Sequence, residues 1–303
     1  PKNNIQLVLS TGDMVAGQKA GLNYQAMWSA FHGVVTGPLS AANIPFAPSP
    51  GNHDASRGKS YAVERSTYVS TFVDRSPSPL LNRSGESHEG RIQLLPGSQF
   101  PLHYAFIFKN VLFVSLDATG VGALPLEQVQ WLIETLSAHR GVVGKVIFGH
   151  VSLYPFTYRK AHEYLARGNA DMALDYEKLL ENHDVDLVIS GHQHVYYDGV
   201  RSGDTRFVSV PLLGSGQRRW LGHKGHGLSP RGFLKIDFEE GRGFQVTAYD
   251  SRRLTPISMN SIPENIKVPR RTAKDCRDCG SFPRQLFINE RERLLFHRSS
   301  RLF

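Results

Sequence analysis

Three features of the sequence predict an α/β fold, a sandwich of two sheets flanked by helices. Short apolar strands alternate with longer amphipathic stretches along most of the 303 residues. Some neighbouring strands are separated by a single turn, which predicts hairpins, whereas others are separated by a helix, which is typical of parallel strand pairs. The composition, with 40% apolar and 20% charged residues, is that of a globular chain that buries its own core.

Each strand is predicted from an apolar run that ends at turn residues, and the helices from apolar residues repeated every three or four positions. The helix over 125–138 begins near Pro125 and keeps its apolar side chains on one face. A second helix is predicted around residues 172–180. The strand at 44–49 is weaker because its prolines lack the N–H that a ladder needs. The predicted strands are 5–10, 44–49, 103–109, 111–117, 145–149, 186–190, 195–197, 206–210, 233–238 and 244–249.

The positive charge of the chain is concentrated at its end. Residues 251–303 carry 12 Lys or Arg and 5 Asp or Glu, which accounts for +7 of the net charge of +8. We therefore predict one domain over 1–250, followed by a basic C-terminal tail or wrapping arm over 251–303. Because the domain lacks the broad basic face of a duplex-DNA-binding protein, nucleic acid is not its expected partner. A rival hypothesis is that the basic tail binds nucleic acid.

Four short motifs, each rich in possible metal ligands, follow predicted strands. They are Gly12-Asp13, the run Gly51 to Asp54, Gly149-His150, and the run Gly191 to His194. Strand ends of an open α/β sheet share one crevice, so these residues can converge there. A carboxylate, an amide oxygen and several imidazoles suit Mn, Fe, Zn or Co better than Ca or a thiolate zinc site. Each motif alone is ordinary turn chemistry, but the ordered set predicts a metal site.

With these motifs in this order, the chain resembles the calcineurin-like metallophosphoesterases from residue 5 to about residue 250. The layout of its second half is closer to the purple acid phosphatase-like branch. The resemblance implies a two-sheet αββα sandwich that holds two divalent transition metal ions (Mn, Fe, Zn or Co). It implies that Asp13 bridges both ions, that one ion is also bound by Asn52, His150 and His192, and that the other is bound by His194.

The resemblance also implies a reaction, the hydrolysis of phosphoric esters. In the family, a metal-bound hydroxide attacks phosphorus in line, and His53 would donate a proton to the leaving group, so His53 and Asp13 are the expected catalytic residues. The expected substrate is a small phosphorylated molecule, which leaves monoesters, diesters and nucleotides open. Asp54 and a backbone carbonyl are the two candidates for orienting His53.

Two departures from the family pattern stand out. The family's Asp-x-His motif, which helps hold the ion that uses His194, occurs nowhere in the 303 residues. We expect this motif and the first strand of the fold to lie upstream of Pro1; the alternative is a catalytically impaired or inactive binding protein of the same fold. Second, Ala16 stands where the protein Ser/Thr phosphatases have an Asp and the purple acid phosphatases a metal-binding Tyr.

Candidate substrate-binding residues lie outside the ligand set. Arg218 or Arg219 could bind a phosphate through two parallel hydrogen bonds. Tyr154 lies in the loop 152–171 that follows His150, and this loop is either a substrate-facing lid or a solvated connector.

The remaining sequence features concern location and assembly. No apolar run reaches the ~18–20 residues of a membrane-spanning helix, so no transmembrane segment is predicted. Cys276 and Cys279 form a lone CxxC pair, which we interpret as a local disulfide of an exported protein. This favours an exported or periplasmic protein, while the oligomeric state stays open.

Overall fold

The computed structural model describes residues 5–73, 92–165, 168–169, 174–223 and 227–266 of the chain. These residues form a mixed α/β fold around a six-stranded sheet, so the predicted α/β class is confirmed. The described strands are β1 (Val8–Leu9), β2 (Phe46–Ala47), β3 (Tyr104–Phe108), β4 (Val111–Ser115), β5 (Gly144–Gly149), β6 (Gly168–Asn169), β7 (Leu174–Asp175), β8 (Leu187–Ser190), β9 (Tyr197–Ser202), β10 (Thr205–Ser209), β11 (Gly232–Glu239) and β12 (Gly243–Asp250). The described α-helices are α1 (Tyr24–Phe31), α2 (Gly37–Ala41), α3 (Asn52–Ala55), α4 (Ala62–Val73), α5 (Leu126–Ala138) and α6 (Tyr176–Asn182).

The central sheet has the strand order β3-β4-β5-β8-β10-β9. Its four inner strands run parallel and its two edge strands run antiparallel to their neighbours. All six residues of β5 are buried, as expected for an inner parallel strand. Because β5 and β8 pair in parallel, with Gly149 opposite Ser190, the loops that follow these two strands leave the sheet side by side.

Three shorter ladders lie outside the central sheet. Strands β1 and β2 pair in parallel, β11 and β12 form an antiparallel hairpin, and β6 pairs with β7. Prolines at positions 45 and 48 flank β2, and the paired part of the predicted strands 5–10 and 44–49 is only two residues long in each. Pro45 lacks the N–H that would extend the ladder before β2, whereas hydrogen bonds from Ser10 to Ala47 and from Ser49 to Ser10 continue the pairing beyond it.

The predicted hairpin across Asn110 is confirmed. Lys109 and Asn110 both have positive φ angles, +50° and +62°, and form the two-residue turn between the antiparallel strands β3 and β4. A turn of this hand matches the right-handed twist of the flanking strands, and Asn tolerates the left-handed backbone. Local turn chemistry therefore determines the register of this edge of the sheet.

Helix α5 begins and packs as its sequence predicts, whereas α6 begins at Tyr176, after strand β7, and not near residue 172. Pro125 immediately precedes α5, and Val129, Leu132 and Leu136 on its inner face are buried. Helix α6 begins after Asp175, whose carboxylate accepts a hydrogen bond from the backbone N–H of Glu177 at 2.9 Å. Such an N-cap satisfies one of the unpaired donors of the first turn.

Helices α1, α2 and α4 are not among the predicted elements. The sequences of α1 and α4 are rich in Val, Ser, Thr, Tyr and Phe, which have at best intermediate helix propensity. Tertiary packing stabilises α1 and α4 instead, since Trp28 of α1 is buried against Tyr68 and Phe72 of α4 in an aromatic cluster. The predicted strand at 195–197 is also displaced, because β9 begins only at Tyr197.

Residues 251–266, the described part of the predicted tail, fold back on the domain. The backbone N–H of Ile257 donates to the carbonyl of Ala248, and Ile262 and Ile266 are buried. The rest of the tail, with Cys276 and Cys279, lies outside the described residues, so the domain boundary at 250 and the exported location stay predictions. In the described ranges, no helix combines the length and the apolar character needed to cross a membrane.

Candidate metal centre

The four predicted motifs meet at the carboxyl ends of two pairs of parallel strands. Gly12-Asp13 follows β1, Asn52 and His53 follow β2, His150 follows β5, and the run from His192 to His194 follows β8. A contact joins the two pairs: Nδ1 of His150 lies 2.7 Å from the carbonyl oxygen of Thr11. Strand direction thus brings together residues as far apart in the sequence as Asp13 and His194.

The loops after β1 and β2 approach so closely that glycine is required. Gly12 has a φ of +87°, and a Cβ atom at Gly51 would lie 2.1 Å from the backbone nitrogen of Asp13. The buried carboxylate of Asp54 joins the two loops by accepting hydrogen bonds from the N–H groups of Met14 (2.8 Å) and Gly51 (2.5 Å). Burial, together with the nearby charge of Asp13, raises the pKa of Asp54 to about 7. Asp54 therefore supports the backbone of this site.

Four side chains direct oxygen or nitrogen atoms at one point. Oδ1 of Asn52 lies 2.9 Å from Nε2 of His150 and 3.0 Å from Nδ1 of His192. The two histidine nitrogens are 3.2 Å apart, and Oδ2 of Asp13 lies 3.1 Å from Nε2 of His150. In the described part of the chain, Asp13, His150 and His192 are the group of His, Cys, Asp or Glu residues that is compact enough to hold a metal ion.

The outer nitrogens of the two histidines determine which atoms face this point. Nδ1–H of His150 donates to the carbonyl of Thr11, and Nε2–H of His192 donates to Oε2 of Glu163 at 2.9 Å. In the neutral tautomers, the inward nitrogens then carry lone pairs, as do the oxygens of Asn52 and Asp13. Four converging acceptors suit a divalent cation, so the residues present fit a metal ion.

The charges around this point act mainly between Asp13 and His150. Burial raises the pKa of Asp13, but the positive charge and hydrogen bond of His150 outweigh burial and hold that pKa far below its usual value. Burial lowers the pKa of His150, and the charge of Asp13 reverses this, so the net shift is upward. Burial and the charge of His150 lower the pKa of His192 to about 3, which keeps His192 neutral. One proton and one cation therefore compete for the same donor set.

His194 lies on the adjoining side of the site. Its Nδ1–H donates to the carbonyl of Gly216 at 3.0 Å, which leaves Nε2 with a free lone pair. Burial and the charge of Arg218 lower the pKa of His194 to about 4. Asp13, His192 and His194 all have positive φ angles, which L-amino acids rarely adopt and which cluster at functional sites.

His53 is held beside Asp13 by two contacts. Its backbone N–H donates to Oδ1 of Asp13 at 2.8 Å, and its Nδ1 lies 3.1 Å from the carbonyl oxygen of Gly17. Of the two candidates for orienting this ring, the structure therefore shows the backbone carbonyl in contact with it, while Asp54 faces the loops. The Nε2 atom of His53 is left for other partners.

The sequence model of the calcineurin-like phosphoesterase family matches residues 1–196 of the chain. The chain belongs to this family. The resemblance inferred from the motifs is thereby confirmed. A search of curated proteins finds no match.

A search of solved structures finds matches at low sequence identity. The purple acid phosphatase PPD1 from seeds of yellow lupin (Lupinus luteus) superposes with a TM-score of 0.59 and 15% sequence identity, over 84% of this chain and 46% of the lupin chain. The chain thus matches less than half of the lupin protein, and the likeness concerns the fold. GAP50, the anchor in the inner membrane complex of Plasmodium, matches with a TM-score of 0.48 and 14% identity, over 84% of this chain and 76% of GAP50. A dimetal phosphatase from Danio rerio matches with a TM-score of 0.39 and 17% identity, over 68% of this chain and 72% of the phosphatase.

Two residues of this calcineurin-like phosphoesterase were not predicted as parts of its site. Glu163 contacts the outer nitrogen of His192. Gln193 is buried, and its Oε1 accepts from the N–H groups of Phe156 (3.2 Å) and Thr157 (3.3 Å), while its Nε2 donates to the carbonyl of Glu163 (2.8 Å). Gln193 thereby fixes the described part of the loop after His150 against the metal ligands. The one sequence signal for Gln193 is its place between two predicted ligands in the run Gly191 to His194, and no pattern points to Glu163.

The three predicted substrate-binding residues lie in different surroundings. Arg218 is half-buried, and its Nη1 donates to the backbone carbonyl of His192 at 2.7 Å. Arg219 is exposed, and its carbonyl accepts from Oγ1 of Thr157 at 2.6 Å. Tyr154 is buried and packs edge-to-face on Phe207, with ring centres 4.9 Å apart. The structure brings Arg218 to the metal ligands and places Tyr154 in the core.

Proposed function

We propose that this chain is a metal-dependent hydrolase of phosphoric esters. In this proposal Asp13, Asn52, His150 and His192 hold one divalent ion, and Asp13 with His194 holds a second. The observation that carries the proposal is the convergence of Asn52 Oδ1, His150 Nε2 and His192 Nδ1 within 3.2 Å of one another. The donor set of nitrogens, one amide oxygen and one carboxylate favours Mn, Fe, Zn or Co.

The ions, when bound, supply positive charge that activates water and offsets the negative charge of the phosphoryl group. The chain's own residues donate the proton, position the groups and bind the phosphate. Nδ1–H of His53 donates to the carbonyl of Gly17, which leaves Nε2 as the atom that faces other partners, and the doubly protonated ring would give its Nε2 proton to the leaving group. Asp13 positions His53 by accepting from its backbone N–H. Arg218, anchored on the carbonyl of His192, offers further N–H groups to a phosphate oxygen.

The test combines metal analysis with turnover. The chain is loaded with each candidate metal, its metal content is determined, and hydrolysis of p-nitrophenyl phosphate and bis-p-nitrophenyl phosphate is followed. We expect metal-stimulated hydrolysis, and His53→Ala should lower turnover most for esters with poor leaving groups. His139→Gln is the matched control, because His139 follows α5 and lies before β5, at the opposite end of this strand from His150. A chain that binds none of the metals contradicts the proposal.

The alternative is a phosphoesterase-like protein that binds ligands without catalysis. It is favoured by the absence of Asp-x-His from the 303 residues, since that motif helps hold the second ion in the family. It predicts at most one bound ion per chain and no turnover of either substrate at any metal concentration. Two bound ions together with turnover would exclude it.

A further inference from the structure

A cavity of about 510 Å³ lies beside the metal centre. We call it the cationic cavity, and its lining residues are Arg159, Lys160, Glu163, Ser215, Gly216 and Arg218. Several of them touch the histidines of the centre: Gly216 accepts from His194, and Arg218 donates to the carbonyl of His192. The cavity therefore adjoins the proposed reaction site, and one molecule can reach both.

The imidazole ring of His192 separates the cavity wall from the point where the ligand atoms converge. Its Nδ1 faces Asn52 and His150, whereas its Nε2, on the far side of the ring, contacts Glu163 of the cavity wall. An anion in the cationic cavity is thus a different group from a phosphate held at the metal centre. Arg218 nevertheless contacts both parts of the site, since it lines the cavity and donates to the carbonyl of His192.

The cavity has more positive than negative charge. Its one carboxylate, on Glu163, is already paired with the ammonium of Lys160 and contacts His192. Within the described residues, neither Arg159 nor Arg218 forms an ion pair with a carboxylate. Burial lowers the pKa of Arg218, and the positive charge of Arg159 lowers it further, so the two guanidinium groups are close enough to repel each other. An anion between them would relieve this repulsion.

The two arginines are held on segments that are tied together. Arg159 lies in the short helical turn Tyr158–Lys160, directly after Thr157. The backbone N–H of Thr157 donates to Gln193, and its hydroxyl donates to the carbonyl of Arg219, the neighbour of Arg218. The backbone segments that carry both arginines are therefore joined before a ligand arrives, which reduces the entropy lost on binding.

We propose that the cationic cavity binds a second phosphate group of the substrate, so that the preferred substrates carry two phosphate groups. The planar guanidinium fork matches phosphate oxygens through paired hydrogen bonds, and two such forks suit a dianion. This inference rests on the proposed function, because the first phosphate is the one hydrolysed at the metal centre.

The first test compares adenosine 3′,5′-bisphosphate with adenosine 3′-monophosphate and adenosine 5′-monophosphate in the metal-loaded chain, by phosphate release. We expect a kcat/KM for the bisphosphate ~10-fold or more above both monophosphates, the size of a charge-assisted contact. Arg159→Gln should reduce this ratio, whereas the control Arg242→Gln, at an exposed ion pair with Glu239, should keep it. Equal values for the three compounds, or an equal loss for all three in Arg159→Gln, overturns the inference.

The second test does not depend on turnover. Inorganic phosphate is titrated calorimetrically into the metal-free chain, where the cationic cavity keeps its two guanidinium groups while the metal centre lacks the charge of its ions. Arg159→Gln should weaken this binding ~10-fold, and Arg242→Gln should not change it. Phosphate binding without hydrolysis of p-nitrophenyl phosphate would overturn the proposed function and leave the anion site standing. Absence of phosphate binding overturns the anion site itself.

Discussion

The two sides of the metal centre are held in different ways. On one side, Asp13, Asn52 and His150 leave the ends of strands, and backbone contacts such as His150 to the carbonyl of Thr11 fix their directions. On the other side, His192 meets a loop whose position depends on the side chain of Gln193. Residues at strand ends are held by the hydrogen bonds of the sheet, whereas a loop tolerates changes of sequence and length. Metal binding and substrate choice can therefore vary separately in this fold.

The largest effect is expected from the strand-end side. Asp13→Asn removes a negative charge from the donor set while its remaining amide oxygen can still accept from the N–H of His53. We expect metal affinity to fall by more than ~100-fold, since even outer contacts of metal ligands are worth ~10–100-fold. The measurement is a metal titration against a competing chelator. Asp237→Asn, at an exposed pair with Lys235, is the control. Unchanged metal affinity in Asp13→Asn would remove this residue from the site.

Glu163 tests how far the loop side contributes to metal binding. Glu163→Leu removes the acceptor that holds His192 with its Nδ1 lone pair inward, whereas Glu163→Gln keeps an acceptor and loses only the charge. We expect metal affinity to fall ~10–100-fold in Glu163→Leu and less in Glu163→Gln. The d–d absorption of bound Co²⁺ should also change, because the ligand geometry changes. Glu181→Gln, bonded to Ser202, serves as the control. Equal affinity in both Glu163 variants and wild type would show that the strand-end side suffices.

The same contrast explains what could be predicted from the sequence. Asp13, Asn52, His150 and His192 each follow an apolar strand with a glycine just before, so local patterns mark them, and parallel pairing brings them together. Glu163 has no such signal. It reaches His192 because a loop without periodicity folds over the site, and that path depends on long-range contacts that no local pattern encodes.

The helices that escaped prediction follow the same logic. The apolar repeat of α5 predicts a helix from the sequence alone, whereas α1 and α4 are stabilised by the packing of Trp28 against Tyr68 and Phe72. Tyr154, predicted to bind substrate, shows that an aromatic residue in a loop next to a ligand can also pack in the core. Its packing on Phe207 is decided by the fold of the loop.

Gln193 joins the loop to the metal ligands. Its replacement should affect the position of the loop more than the affinity for metal. Gln193→Leu leaves the N–H groups of Phe156 and Thr157 and the carbonyl of Glu163 without their partner, which should cost ~2–3 kcal/mol of unfolding free energy. Urea unfolding measures this cost, with the exposed Gln245→Leu as the control. A higher KM with a smaller change in metal affinity would show that the loop serves substrate binding. A variant as stable as wild type would contradict the fixing role of Gln193.

The smallest expected effect concerns His194, which lies where the two sides of the metal centre meet. Its replacement should change how the unfolding free energy depends on pH. Its pKa is about 4 in the folded chain, below the ~6.5 of an unfolded chain, so the unfolded state takes up the proton first as pH falls. His194 therefore contributes stability above pH ~6.5 that is lost as pH decreases towards 4. Because the ring is partly exposed, we expect the metal-free wild type to lose only ~1–2 kcal/mol more than His194→Gln over this range. Urea unfolding at several pH values, with His139→Gln retaining the wild-type slope, measures the difference. Parallel plots of unfolding free energy against pH for wild type and His194→Gln would show that burial does not lower the pKa of His194.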